Sequence, residues 1–463
     1  MERTISGKLT KDKLMMITPR RKNQHPVVLI VGKSEDGSLN KFVTFKIINQ
    51  IIEKSTKGVK PMKWSFTIPI MLITFLLFTT GCWNRRELNE LAITLAMGLD
   101  ITKDGQYLVT AQVVNPGEVA AKGGSGGGHS PVVIYQATGK TVFEAVRKMT
   151  KESPRKIYPS HLRILVIGES LAKKGIGKPL DVLSRDWELR SDFYVVVAKG
   201  MNAEDILRVP TALEKIPANN LFNTLEVSEK AWAATSAVTF DELIEDMVSE
   251  GKQPVLTGIR ADIKGGKKNS LSKQNVEIID TPARVKYGNL AAFKKDKLVG
   301  WLDEQQSAAY NVITNNEKSA VVNIPCPQGG KAVYEVKKVN TEMKGKIKNG
   351  KPEIDLNISV EGNVGEVECQ IDLTKPESID QLEEIYEKQT RVKFKKAIKQ
   401  VQENDKVDIF GFGEAINRAD PKAWNKLKKD WDKNFENLPV NIKVQGEIRR
   451  VGTVGNSFLE KLK

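Results

Sequence analysis

The sequence predicts a multi-domain α+β protein, and three observations carry that prediction. From about residue 91 to 208, apolar runs with strand character alternate with segments whose apolar residues recur every three or four positions. After about residue 285, extended alternating segments dominate and are interrupted by one long amphipathic helix. About 380 residues follow Cys82, enough for two or three domains of ordinary size.

Each element has its own local reason. The run from Leu91 to Met97 and the segment Tyr107–Val114 read as strands joined at Asp104-Gly105, a hairpin signal. Gly123, Gly124 and Gly126–Gly128 belong to a tract that no regular element accepts, so a loop is expected there. Val132–Tyr135 is a third strand, and Thr141 is placed to cap a helix through Val142, Ala145, Val146 and Met149. Leu162–Ile167 and Tyr194–Val197 are buried-strand candidates. Helices are expected at Glu169–Lys174, Pro179–Trp187, Ala203–Arg208 and Phe240–Val248, with 210–237 less regular. Val255–Ile263 is a strand. Residues 264–270 are polar and contain Gly265 and Gly266, which suits an exposed linker or a long hairpin tip.

Beyond that stretch, Leu290–Phe293 and Leu298–Trp301 flank a charged turn as a hairpin, and a helix follows from Asp303 to Val312. Ile354, Leu356, Ile358 and Val360 alternate as a half-buried strand does. Pro376–Glu403 is the long helix, Pro421–Phe435 another, and Val440–Ile448 a final strand. The expected organisation is an extension (1–61), a signal segment (62–81), an N-terminal domain (82–263), a boundary region (264–284) and a C-terminal domain (285–463).

The signal segment rests on the uncharged apolar run Trp64–Thr80, which follows Met62 and Lys63 and stops at Gly81-Cys82. A basic start, an apolar middle and small residues before a cut site form a signal-peptide plan. A cysteine directly after the cut reads as a bacterial lipoprotein signal, in which the Cys82 thiol takes a diacylglyceryl group. Thr79 stands where an aliphatic residue is usual, and an uncleaved membrane anchor is the competing reading. Met62 sits where an initiator belongs, so 1–61 is expected to be an upstream extension absent from the natural product. A translated cytoplasmic extension is the alternative.

Charge location excludes one function class. The whole chain carries a net +15, yet the part from Cys82 holds 58 basic and 52 acidic residues, a net +6. Those charges are interspersed and form no long basic block, so nucleic acid is not an expected partner. Cys326 and Cys369 either pair outside the cytoplasm or remain ordinary thiols, and the sequence leaves both open. His129 and His161 are too few for a His-based metal site.

Catalytic signals dissolve on inspection, and no cofactor is expected. Gly123-Gly124-Ser125-Gly126-Gly127 fits G-x-S-x-G but lacks the strand before and helix after that a nucleophile elbow needs. Gly139-Lys140-Thr141 ends like a P-loop, but its leading glycine would fall at Ile134. His161, after Tyr158-Pro159-Ser160, is expected to fix a strand edge by hydrogen bonding rather than to act as a base. In Asp408-Ile409-Phe410-Gly411-Phe412-Gly413, the glycines let the chain turn while both rings enter a core. Trp424 and Trp431, seven residues apart, are expected in a core or interface.

Cys82-Trp83-Asn84-Arg85-Arg86-Glu87-Leu88 after the signal resembles the start of the Ger(x)C family. The resemblance continues through Ala137–Thr141, Ser160–Ile164, Leu183–Asp186, Ala292–Trp301 and Asp408–Gly413, then Pro421, Trp424 and Trp431. It covers almost all of 82–450 in order. It implies a multi-domain α+β fold and a non-enzymatic lipoprotein C-subunit of a nutrient germination receptor in endospore-forming bacteria. Its partners would be integral membrane A-type and B-type subunits, on the outer face of the inner spore membrane. The motif residues Trp83, Arg86, Glu87, His161, Trp301, Phe410, Gly411, Gly413, Trp424 and Trp431 would then be structural or interaction residues. A solute-binding lipoprotein of a transporter is the alternative, and it requires two similar α/β lobes around a cleft.

Overall fold

A computed structural model describes residues 71, 87–120, 129–264, 271–272, 274–316, 319–327 and 329–451. All but Met71 lie in the second of two units, Arg86–Lys463. Within that unit the first half runs β1 (Leu91–Ile101), β2 (Tyr107–Val114), β3 (Val132–Gly139), α1 (Val142–Lys148), β4 (Lys156–Tyr158), β5 (Ile164–Gly168), α2 (Glu169–Lys174), α3 (Gly177–Ser184), β6 (Tyr194–Ala198), α4 (Ala203–Leu207), α5 (Pro217–Ala231), α6 (Phe240–Val248) and β7 (Val255–Ile263). The second half runs β8 (Ala283–Lys294), β9 (Lys297–Trp301), α7 (Glu304–Ile313), β10 (Ala320–Pro325), β11 (Lys331–Lys348), β12 (Lys351–Val367), α8 (Pro376–Gln400), α9 (Phe412–Ala419), α10 (Pro421–Leu427), α11 (Trp431–Glu436) and β13 (Val440–Arg450).

The first sheet is mixed, in the order β3-β2-β1-β5-β6-β7-β8-β9, with β4 on β1. Its centre is parallel, β1 with β5, β5 with β6 and β6 with β7, while both flanks are antiparallel. A central parallel strand is covered on both faces and therefore reads as an unbroken apolar run. Leu165, Ile167, Val195 and Val197 enter one core with α1, α2, α3 and α6. Ile164, Val166, Val196 and Ala198 enter another with α4 and α5. The alternation of strand side chains thus divides one apolar run between two helical layers.

The second sheet, β10-β11-β12-β13, is antiparallel except for its β12–β13 pair. A two-residue turn at Asn349-Gly350 joins its long hairpin; both have positive φ, 51° and 76°, the geometry whose twist matches paired strands. Ile354, Leu356, Ile358 and Val360 face inward, as their spacing predicts, against α7, α8 and α9. Cys326 and Cys369, left open by the sequence, are joined by a disulfide between the ends of β10 and β12.

The first sheet continues across 264–284, where β7 and β8 pair antiparallel from Val255↔Ala292 to Ile263↔Ala283. The hairpin-tip reading of that polar stretch is the one the pairing follows, and β8 and β9 complete the first sheet. The passage to the second sheet falls later, through α7. One expectation needs correction: residues 210–237, expected to be irregular, contain the 15-residue α5. Asn219, Asn220, Asn223 and Thr224 give that helix poor propensity, but Pro217 starts it and Ala218, Leu221 and Leu225 bury one stripe on the sheet. Tertiary packing wins there over local preference. The two similar lobes that a solute-binding protein needs do not occur among the described residues: one sheet is covered on both faces, the other on one.

Candidate functional site

The segment 408–414 is where the two sheets are locked together. Asp408 is buried, and its carboxylate accepts hydrogen bonds from the backbone N–H groups of Gly411 (3.0 Å), Phe412 (3.1 Å) and Gly413 (2.7 Å). The Trp431 indole donates a fourth at 2.9 Å. Burial pushes the Asp408 pKa up to about 6, against the pull of those four donors. Gly411 has φ +79°, a left-handed conformation that opens α9 and that glycine adopts without a Cβ penalty. Phe410 and Phe412 both enter the core and stack at 5.1 Å; Trp424 and Trp431 meet edge-on at 5.1 Å beside them.

Segment 249–253, between α6 and β7, grips this motif from the other sheet. Gln253 N donates to the Asp408 carbonyl at 2.8 Å, and Glu414 N donates to the Gly251 carbonyl at 3.3 Å. The Ser249 hydroxyl donates to the Glu414 carboxylate at 2.8 Å, and Lys428 pairs with Glu250 at 2.8 Å. A Cβ on Gly413 would lie 2.7 Å from Gly251 Cα and 2.7 Å from the Trp424 ring. The two glycines permit backbone contact that no larger residue would.

A second buried carboxylate repeats the arrangement. Asp100, at the end of β1, accepts from Ala203 N (2.8 Å) and Glu204 N (3.0 Å) and caps α4. Burial pushes its pKa up to about 6 as well. Each carboxylate is a helix-capping acceptor. Sequence reasoning singled out neither. For Asp408 the usable signal was an aspartate three to five residues before the N–H groups of a glycine-rich helix start, whereas the donors to Asp100 lie more than a hundred residues away.

The remaining motif residues fall in different places. Trp301, in β9, lies over Gly258, where a Cβ would come within 2.6 Å of its ring. Lys199 Nζ sits 4.7 Å from the ring centroid and the indole donates to Glu169 at 3.4 Å. His161 is exposed in the turn before β5 and makes no hydrogen bond to the described residues, contrary to the expected strand-edge role. Arg163 has that place instead: its N–H donates to the Leu95 carbonyl at 2.8 Å and its guanidinium lies 4.8 Å over Phe222. Glu87 is exposed at the start of the fold. Cys82, Trp83, Arg86 and the G-x-S-x-G tract lie outside the described residues. The P-loop-like Gly139-Lys140-Thr141 is a helix start: Thr141 accepts from Glu144 N at 3.1 Å while Lys140 N donates to the Glu144 carboxylate at 2.8 Å.

A cleft of about 770 Å³ opens between α7, β10 and α8, lined by Trp232, Ala308, Val321, Val339, Tyr386 and Phe394. Its walls mix these apolar side chains with polar and charged ones, among them Asp303, Glu304, Gln389 and Lys393. Among the described residues no cluster of three His, Cys, Asp or Glu side chains is placed to hold a metal ion, and no helix is long and apolar enough to cross a membrane.

Two family models match the chain in order, the spore germination protein N-terminal domain over 84–261 and the spore germination B3/GerAC-like C-terminal domain over 288–452. The chain is 31% identical to spore germination protein KC of Bacillus subtilis over 402 residues, 86% of this chain and 98% of that protein. It is 30% identical to the putative spore germination protein YfkR of the same organism, over 80% of this chain and 92% of that one. Spore germination protein B3 matches at 25% over 85% and 100%. The crystal structure of the GerBC protein aligns with a TM-score of 0.46 and 21% identity, covering 77% of this chain and 98% of that one. This chain belongs to the GerAC-like family of spore germination proteins, which is not a family of enzymes.

Proposed function

We propose that the chain is the lipid-anchored C-subunit of a nutrient germinant receptor. It would act without catalysis, by assembling with integral membrane A-type and B-type subunits on the outer face of the inner spore membrane. The observation that carries this reading is the ordered match of both family domains, 84–261 and 288–452, directly behind a lipoprotein-type Gly81-Cys82. Relatives named as germination proteins span nearly their whole length against this chain. The geometry is compatible: its two buried aspartates serve as helix caps, and segments 249–253 and 408–414 make one body of the two sheets. Such a body suits a part that transmits or stabilises an assembly rather than one that turns over substrate.

Deleting the gene in spores and following nutrient-triggered germination, beside a non-nutrient trigger that bypasses receptors, tests the proposal. The nutrient response should fail and the other survive. Normal nutrient germination, with no redundant receptor present, would overturn it.

A further inference from the structure

The N-terminal ends of β1, β4, β5 and β6 lie at one end of the first sheet. Leu91 is in register with Lys156, and Arg163, just before β5, bonds to Leu95. Tyr194 N in turn donates to the Arg163 carbonyl at 3.0 Å. At this end Lys156 pairs with Glu188 at 2.6 Å, which brings the 186–190 loop beside the start of β1. The neighbouring Trp187 is 76% exposed and Leu88 is 75% exposed. Arg155 and Arg163 are exposed too and have no acidic partner among the described residues, while the local acids Glu188 and Asp192 are paired with Lys156 and Arg190. Glu87 and Glu90, on the segment leading into β1, and Asp186, which accepts from Glu188 N at 3.0 Å, are the opposing charges.

If Cys82 carries the lipid, the covalent chain limits how far the start of β1 can stand from the bilayer. From Cys82 to Glu87 is five residues, a reach of at most about 18 Å. β1 then runs 11 residues away from that point, about 36 Å, to the turn at Asp104-Gly105. A lipid on Cys82 therefore holds the Leu88–Trp187 end within reach of headgroups and leaves the Asp104 end far from them.

We propose that this end of the sheet seats on an anionic phospholipid surface, with the Trp187 indole in the headgroup layer and Arg155 and Arg163 over lipid phosphates. Tryptophan favours that layer because its ring is apolar and its N–H is a donor; arginine adds attraction to negative headgroups. The seating would fix how the body stands above the membrane. It rests on lipidation of Cys82, and the test separates the two.

The full-length lipidated protein is reconstituted in phosphatidylcholine vesicles with and without phosphatidylglycerol, and backbone hydrogen exchange is followed together with sedimentation. Segments 155–163 and 186–190 should exchange more slowly on the anionic vesicles, and the 104–105 turn should not change. Trp187→Ala should lose the protection at 186–190 while still sedimenting. Vesicle-bound protein with unchanged exchange in those segments would overturn the seating and leave the anchor standing. Failure to sediment at all would remove the anchor and the seating with it. Protection that appears only when integral partner subunits share the membrane would assign this face to protein and overturn the lipid assignment.

Discussion

The Trp431 indole N–H donates a 2.9 Å hydrogen bond to the buried Asp408 carboxylate, which also holds the first three N–H groups of the 411–413 turn. One aspartate thereby ties α9 to α11, and through the Gln253 bond to its own carbonyl it ties both to the first sheet. A buried acceptor deprived of its donor costs more than the bond was worth, because water does not replace the partner.

Trp431→Phe should therefore destabilise the protein by at least about 1–3 kcal/mol from the lost donor, with the smaller ring adding to the cost. Trp431→Ala, which also empties a cavity, should cost about 3–5 kcal/mol. Urea unfolding measures both. A phenylalanine variant as stable as the wild type would mean that the Asp408 bond contributes nothing.

Gly413→Ala should cost at least about 1–3 kcal/mol, because its Cβ would meet the Gly251 backbone and the Trp424 ring, both at 2.7 Å. Gly251→Ala should behave alike, with Gly413 and Glu414 backbone atoms within 2.5–2.7 Å. Gly288→Ala is the control: its Cβ meets nothing within 4 Å, so stability should move by no more than about 0.5 kcal/mol. Equal effects at all three positions would show general loss of glycine flexibility instead of a tight joint.

The sequence discloses the layers of this fold better than its joints. Ile164–Gly168 and Tyr194–Ala198 are apolar enough to announce buried strands, and Ile354 to Val360 alternate cleanly. Those signals are local. The pairing of β7 with β8 across 264–284 is not local, since a polar glycine-containing stretch looks the same as a linker and as a hairpin tip. α5 was hidden by its asparagines and emerges only when Leu221 and Leu225 find the sheet. At the joint, the two aromatics and glycines of 410–413 were readable as a turn into a core. Asp408 was not read as their anchor: the 411–413 N–H groups three to five residues on were a local signal for a cap, but its other partners, Trp431 and Gln253, lie 23 and 155 positions away.

The same burial sets a pH dependence. Asp408 has its pKa raised from 3.8 in the free residue to about 6 in the fold, by desolvation above all. The folded state therefore holds a proton that the unfolded chain has already lost between those values. Its contribution to stability is fully present below pH 3.8 and is lost as pH rises through about 6, a change of roughly 3 kcal/mol at ~1.4 kcal/mol per pKa unit. Asp100 adds a trend of the same sign. Measured against Asp408→Asn, wild-type stability should fall from about pH 4 to 6 and level off above about 7. A difference that is flat, or that grows with pH, would mean the carboxylate stays ionised throughout.

The anchor is tested at Cys82 itself. If the thiol carries diacylglycerol, two acyl chains at about 0.8 kcal/mol per buried methylene hold the protein firmly in a bilayer, where one chain would hold it only marginally. Cys82→Ala removes both the acceptor sulfur and the cut site that depends on it. The variant should accumulate as a longer precursor that incorporates no labelled fatty acid, with Trp64–Thr80 still attached. Because that run is slightly short of a full span, the precursor should also be released by carbonate or mild detergent more readily than the lipidated form. Labelling of the alanine variant equal to that of the wild type would place the lipid elsewhere and remove the basis for the tether.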